Sequence, residues 1–267
     1  MKDRYQYPEV MVRFYDAVYD NMASLADKEY YINKMINAGG PVLEIGCGTG
    51  RLFCDALKQG ADVYGIDQSE LMLNKLKEKL DAEEHYRVQL ADAKEFISVQ
   101  KYKLIIAPFR MFQHIITSED QLKILRNVRE NLETGGIFIF DVFNPDINII
   151  GKGYPETLQS ETEYKPGRII RRFHRAEPDL LNQCMNVTFR FEWQEDNIKN
   201  LQESIYNFPM RYFFRYELEH LIARAGLKLV NIYGDFKENA LEEGSKNLIV
   251  IAKKIPNQVG NDNYLWI

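Results

Sequence analysis

VLEIGCGTGR, residues 42–51, passes from an apolar run into glycines at alternate positions, Gly46, Gly48 and Gly50, and then into a segment with helical patterning. A glycine-rich turn between strand and helix lets the backbone approach a ligand that a Cβ would exclude, and in an open α/β sheet such turns lie where ligands bind. The loop does not continue as Gly-Lys-Ser/Thr, which removes a P-loop, and Arg51 stands where the dinucleotide fingerprint G-x-G-x-x-G needs its last glycine.

Working outward, short apolar runs alternate with helical stretches, the pattern of βα units around a mostly parallel sheet. The strand candidates are PVLEIG, ADVYGID, YRVQLAD, KLIIAPF and GIFIFDV, with helices expected near 51–59, 69–80 and 119–132. In the second helix Leu71, Leu73, Leu76 and Leu80 fall largely on one face, and Ser69 is a suitable N-cap. After Val142 the rhythm changes: FNPDINIIGKGYP reads as a loop, and IIRRFHR, CMNVTFRFEWQ and IKNLQESIYNF alternate as antiparallel strands with one wet face. This predicts a β insertion over 144–210. A helix closed by Gly226 and the strands LKLVNIY and NLIVIAKK then resume the α/β pattern, and the tail 255–267 reads as irregular.

A chain of 267 residues is long enough for one domain with a substantial insertion. Its net charge of -5 opposes binding to a phosphate backbone, so nucleic acid is not an expected partner. Three cysteines without a Cys-x-x-Cys pair fit a reducing cytoplasm better than a disulfide framework or a thiolate metal site. Neither a signal peptide nor a membrane span is expected.

Carboxylates gather around the glycine loop. Glu44 precedes the glycines, Asp67 ends the second strand, where it can accept from ribose hydroxyls, and Asp92 ends the third, where it suits an adenine amine. So many carboxylates serve a pyrophosphate poorly, and serve well a ligand with hydroxyls, an ammonium and a sulfonium. S-adenosylmethionine (SAM) is such a ligand.

VLEIGCGTG, VYGIDQS with the following Met72, LADAKEF, YKLIIAPFRMFQHI and LETGGIFIFDVF resemble, in order and spacing, the successive motifs of class I SAM-dependent methyltransferases. The likeness is close over 15–143 and looser over 215–254. It implies a Rossmann-like, doubly wound, seven-stranded, mostly parallel sheet with an antiparallel final strand, and the β insertion after the fifth strand. The core would comprise 1–143 and 211–254, with lid helices in 1–40 and with 144–210 roofing the acceptor site. The resemblance implies that Gly46, Gly48 and Gly50 border the methionine part of SAM and that Glu44 orients the loop or the amino group. It further places Asp67 at the ribose, Gln68 and Met72 beside the adenine, and Asp92 with Ala93 at its edge. Tyr15 and Tyr19, in YDAVYD, belong either to a lid over the cofactor or to core packing.

Methyl transfer from a sulfonium asks the protein mainly to align an acceptor lone pair and exclude water; a base is needed where the acceptor must lose a proton. The segment APFRMFQHI is where the acceptor would sit, which makes Phe109, Arg110 and Gln113 pocket candidates. It lacks the Asn/Asp-Pro-Pro-aromatic sequence of nucleobase-amine methylation and the Pro-Cys of attack on a pyrimidine carbon. It resembles the corresponding segment of sugar N,N-dimethyltransferases, which also carry a histidine there. His114 is thus the candidate general base, against the alternative of a turn-capping or packed histidine. Asp141, Asn144 and Asp146 resemble metal ligands of some O-methyltransferases, but Ala107 and Pro108 stand where a third oxygen ligand is needed, so no metal is expected. The basic cluster Arg168, Arg171, Arg172, His174 and Arg175 reads as a solvated face paired with the nearby Glu161, Glu163, Glu177 and Asp179, with contact to an anionic acceptor as the alternative. The expected function is methyl transfer from SAM to nitrogen or oxygen of a small molecule; the rivals are an NAD-dependent oxidoreductase and a non-catalytic SAM-binding protein.

Overall fold

The computed structural model describes residues 7–20, 26–195 and 200–256; most of the expected irregular tail, from 257 on, lies outside them. Two helices, α1 (Glu9–Asp20) and α2 (Asp27–Ile36), precede the run that opened the sequence, which becomes β1 (Val42–Ile45) with every residue buried. There follow α3 (Phe53–Lys58), β2 (Val63–Asp67), α4 (Glu70–Lys77), β3 (Val88–Leu90), β4 (Tyr102–Ala107), α5 (Ser118–Asn131) and β5 (Leu132–Phe143). Ser69 caps α4 as expected, its hydroxyl accepting from the Met72 amide at 3.3 Å.

After β5 come α6 (Ile147–Lys152), β6 (Tyr154–Lys165), β7 (Arg168–Asp179), β8 (Cys184–Trp193) and β9 (Gln202–Arg211), and then α7 (Arg215–Arg224), β10 (Leu227–Tyr233) and β11 (Asn247–Lys254). The main sheet has the order β10-β11-β5-β4-β1-β2-β3. Strands β1 to β5 are parallel, and β11 runs antiparallel to both β5 and β10. This is the seven-stranded doubly wound sheet expected, with β6 to β9 as a separate antiparallel sheet inserted after β5.

Alternation along the central strands feeds two cores. Leu43, Ile105 and Phe138 face α5 and α7 through Leu125, Leu218 and Ile222, whereas Val42, Ile106 and Ile139 face α2, α3 and α4 through Met35, Phe53 and Leu76. With both faces covered, the central strands read as continuous apolar runs.

Two elements differ from the sequence reading. The segment expected as a loop contains α6, whose N-cap is Asp146, accepting from the Asn148 amide at 2.8 Å. β6 has no counterpart in the sequence reading: as an edge strand it is exposed along most of both sides, so polar residues fill both and no alternation marks it.

The inserted sheet and α1 share a core. Phe14 and Val18 pack with Ile170, Phe191 and Trp193, the Phe14 ring lying 4.7 Å from that of Tyr164. Burying a side chain of this size stabilises by about 1.5–3 kcal/mol, so α1 is held to the roof. Asp16 on the same helix ties it to the main sheet's side, accepting from the Thr49 hydroxyl at 2.6 Å and pairing with Lys79 at 2.6 Å. No described helix is long and apolar enough to cross a membrane.

Candidate active site

The glycine loop leaves β1 beside β4, where the chain direction of the winding reverses. The Ile66 carbonyl accepts from the Gly46 and Cys47 amides at 2.8 and 3.1 Å, which folds the loop back onto the end of β2. Gly46, Gly48 and Gly50 all have positive φ, at 76°, 54° and 87°, a region that costs an L-residue about 1–2 kcal/mol. Their side-chain spaces differ. A Cβ on Gly46 would lie 2.9 Å from Met111 Cγ, whereas one on Gly48 would meet nothing nearer than the Gly46 carbonyl oxygen at 4.0 Å.

The loop forms one wall of a cavity of about 540 Å³, within the size range of small-molecule sites. Asp67 lines it and accepts from the Gly48 amide at 2.9 Å through Oδ2 and from the Ser69 amide at 2.8 Å through Oδ1. Burial raises its pKa against the opposing pull of the Ser69, Gly48 and Gln68 amides. Glu44 lies deeper, 3% exposed and lining the cavity, and its Oε2 has no hydrogen-bond partner among the described residues. Desolvation pushes its carboxyl up to about 8 against the opposing pull of Arg51. Gln68, Met72 and Ala93 line the same wall. Asp92 does not: its carboxylate accepts from the Lys94 amide at 2.8 Å and lies 3.5 Å from the Lys94 ammonium, beside the wall made by Ala91 and Ala93.

Arg51, which breaks the dinucleotide fingerprint, is largely sequestered at the cavity edge, bonded through both terminal nitrogens to Asp27 and lying 4.7 Å over the Phe109 ring. Tyr15 and Tyr19 also line the cavity, their ring centroids 4.4 Å apart, and Tyr19 meets Phe109 edge-on at 5.2 Å. The two tyrosines therefore pack and line the cavity together.

The segment after β4 is backed by Asp141. Phe109 and Arg110 both hold positive φ, at 57° and 62°, which is unusual for non-glycine residues and needs support. Asp141 accepts from the Phe109 amide at 2.8 Å, the Arg110 amide at 3.1 Å and the Tyr31 hydroxyl at 2.7 Å. Its carboxylate thus braces a turn. Burial raises its pKa to about 6, with the Tyr31 hydroxyl opposing. Asn144 donates to the Ser245 carbonyl at 2.8 Å and Asp146 caps α6, and no cluster suited to a metal ion exists among the described residues.

Phe109, Arg110 and His114 line the cavity. Gln113 does not: it is wholly buried, donating to the Arg211 carbonyl at 2.7 Å and accepting from the Phe143 amide at 3.0 Å, so the expected acceptor contact is replaced by a structural one. The His114 ring lies tilted against that of Phe208, centroids 5.5 Å apart, and desolvation lowers its pKa to about 4. Phe189, Tyr206 and Phe208, from β8 and β9, complete the roof over these groups.

The sequence reading favours a solvated face for the whole basic cluster of β7 and keeps contact with the acceptor as its alternative; Arg172 is 1% exposed and lines the cavity, so it departs from the solvated reading. The signal is present in the alternation, because Arg172 shares its parity with Ile170 and Ala176, both buried.

Comparison with known proteins agrees with this arrangement. A family model described as "Methyltransferase domain" matches residues 42–136. The chain is 24% identical over 243 residues to YqeM of Bacillus subtilis (strain 168), named as a methyltransferase, covering 89% of this chain and 95% of that one. It is 25% identical over 221 residues to a dTDP-3-amino-3,4,6-trideoxy-alpha-D-glucopyranose N,N-dimethyltransferase of Streptomyces venezuelae, covering 80% and 86% of the two chains. A solved S-adenosylmethionine-dependent methyltransferase from Clostridium acetobutylicum ATCC 824 superposes with a TM-score of 0.74 at 15% identity, covering 92% of this chain and 98% of that one. The sheet order, the methyltransferase-domain match over residues 42–136 and these relatives all support a SAM-dependent methyltransferase with a class I fold.

Proposed function

We propose that the chain methylates a nitrogen or oxygen of a small molecule held between the glycine loop and the aromatic roof. The observation that carries this reading is one continuous cavity that joins Asp67 and Glu44 at one wall to His114, Phe208 and Tyr206 at the other. When bound, SAM supplies an electrophilic methyl group on a cationic sulfur.

The residues present fit that donor. Glu44 Oε2, buried and lacking a partner among the described residues, suits an ammonium; the open side of Gly48 leaves room for a ligand against the backbone; Asp67 retains a lone pair on each oxygen for the two ribose hydroxyls. Met72 and Gln68 would flank the base. Tyr15, Tyr19 and the roof would exclude water and restrict the acceptor to approaches along which its lone pair can be aligned.

His114 would accept the acceptor's proton. With its pKa near 4 it is neutral at physiological pH and ready to accept, yet a weak base, so its contribution belongs below the usual hundredfold or more for general bases. His114→Ala is expected to slow turnover about tenfold and leave the affinity for S-adenosylhomocysteine unchanged, with an acid limb of the pH profile that does not move, since His114 does not titrate above about pH 5. Equal losses of affinity and turnover would make it a packing residue.

Calorimetric titration with SAM, S-adenosylhomocysteine and NAD tests the donor site. The two adenosyl ligands should saturate and NAD should not. Because burial holds Glu44 protonated up to about pH 8, pairing with an ammonium should release a proton at about pH 7, read as a dependence of the heat on buffer ionisation enthalpy. Affinity should then rise several-fold from about pH 6 to about pH 8. The sign for stability is the reverse: a carboxyl whose pKa is raised by folding stabilises the fold fully only below its unfolded value, about 4.3, and loses that contribution as pH climbs to about 8. Binding of NAD alone would overturn the reading.

The likeness to a sugar N,N-dimethyltransferase favours a nitrogen acceptor. A panel of amino sugars and their hydroxyl counterparts, assayed for S-adenosylhomocysteine formation, separates nitrogen from oxygen methylation.

A further inference from the structure

β7 carries arginines at 168, 171, 172 and 175, and alternation divides them between two faces. Arg171 and Arg175 lie on the outside, Arg171 donating through Nε to Glu161 at 2.6 Å and Arg175 lying 3.6 Å from Glu177. Arg172 turns the other way and lines the cavity, almost wholly buried. Its Cζ stands 4.6 Å from the ring centroid of Tyr19 on α1 and 4.7 Å from that of Phe189 on β8. Ring faces attract a guanidinium by their quadrupole, and its donors lie in its own plane, at the edge, in the fork geometry that matches a carboxylate or phosphate.

The position is on the acceptor side. Phe189 meets Phe208 at 5.0 Å and Phe208 meets His114 at 5.5 Å, so two ring contacts lead from Arg172's own stacking partner to the candidate base. Tyr19, its other partner, abuts Phe109 on the turn after β4. A permanent positive charge set into the roof selects for charge on what the roof covers.

We infer that Arg172 recognises an anionic group, carboxylate or phosphate, on the methyl acceptor. The chain's substrates are then acidic small molecules rather than neutral ones. This rests on the reading of the cavity as joint donor and acceptor site.

The test is calorimetric titration of protein saturated with S-adenosylhomocysteine, using matched pairs: glucosamine and glucosamine 6-phosphate, ethanolamine and phosphoethanolamine, tyramine and tyrosine. In the wild type the anionic member of at least one pair should bind at least tenfold more tightly, the pair concerned distinguishing phosphate from carboxylate. R172Q should abolish that preference while holding S-adenosylhomocysteine affinity within twofold, and R172K, which keeps the charge but not the fork, should retain a reduced preference. No anion preference in any wild-type pair overturns the inference, as does a preference that survives in R172Q. Loss of S-adenosylhomocysteine binding in folded R172Q would overturn it differently, by assigning the arginine to the donor's carboxylate. If R172Q does not fold, R172K decides: an undiminished preference excludes recognition by the fork. Failure of the wild type to bind S-adenosylhomocysteine would instead defeat the donor-site reading, and the inference with it.

Discussion

Asp67→Ala is expected to weaken S-adenosylhomocysteine binding by about 1–3 kcal/mol, roughly 5- to 150-fold, with little change in the unfolding midpoint. The argument is one of lone pairs. Each carboxylate oxygen already accepts one backbone amide, Gly48 at 2.9 Å and Ser69 at 2.8 Å, so the orientation of the carboxylate is fixed before any ligand arrives. A second lone pair on each oxygen then meets a vicinal diol without reorganisation. Alanine strands both ribose hydroxyls and also frees the Gly48 amide, so the loop loses an anchor. The Asp67→Asn variant keeps one acceptor oxygen and should recover part of the affinity. Calorimetry on the two variants measures this; unchanged affinity in Asp67→Ala would move the ribose elsewhere and remove the glycine loop from the donor site.

Gly50→Ala should damage folding rather than binding. A Cβ there would lie 2.3 Å from Leu76 Cδ1 and 2.8 Å from Cys54 Sγ, both inside the core beneath α3 and α4, and φ is 87°. Left-handed strain of about 1–2 kcal/mol joins an overpacking cost of about 1–3 kcal/mol, so the urea midpoint should fall by the equivalent of about 2–5 kcal/mol. Gly48→Ala is the contrast. It carries the strain but no clash with protein, so it should cost less stability and more ligand affinity. If the two variants behaved alike, the spacing of the glycines would be a matter of turn geometry only.

What the sequence discloses and what it hides follow one physical division. The places of the glycine loop, Asp67 and Met72 on the cavity wall, and the cap at Ser69, are readable because they depend on spacing within a few residues of chain. The parallel strands are readable because burial on both faces leaves an uninterrupted apolar run. Gln113 and Asp141 mark the limit, because a polar side chain next to a site looks the same whether it faces the ligand or braces the wall behind it. Only the third dimension separates those roles. Arg172 sits in a run of basic residues whose average suggests solvent, while its parity with Ile170 and Ala176 points inward. β6 leaves no trace because an exposed edge strand has no apolar face to show.

Gln113 carries a consequence for how such a protein changes over time. Its amide grips the Phe143 N–H, where the chain departs from β5, and the Arg211 carbonyl, where it returns. Departure and return are thus stitched at one point, so the ends of the insertion hold a fixed place on the sheet below, while its body is held separately through the core shared with α1. A lineage, or an engineer, can exchange the roof for another and keep the catalytic floor in register, provided the replacement delivers its two ends to that glutamine and keeps the core shared with α1.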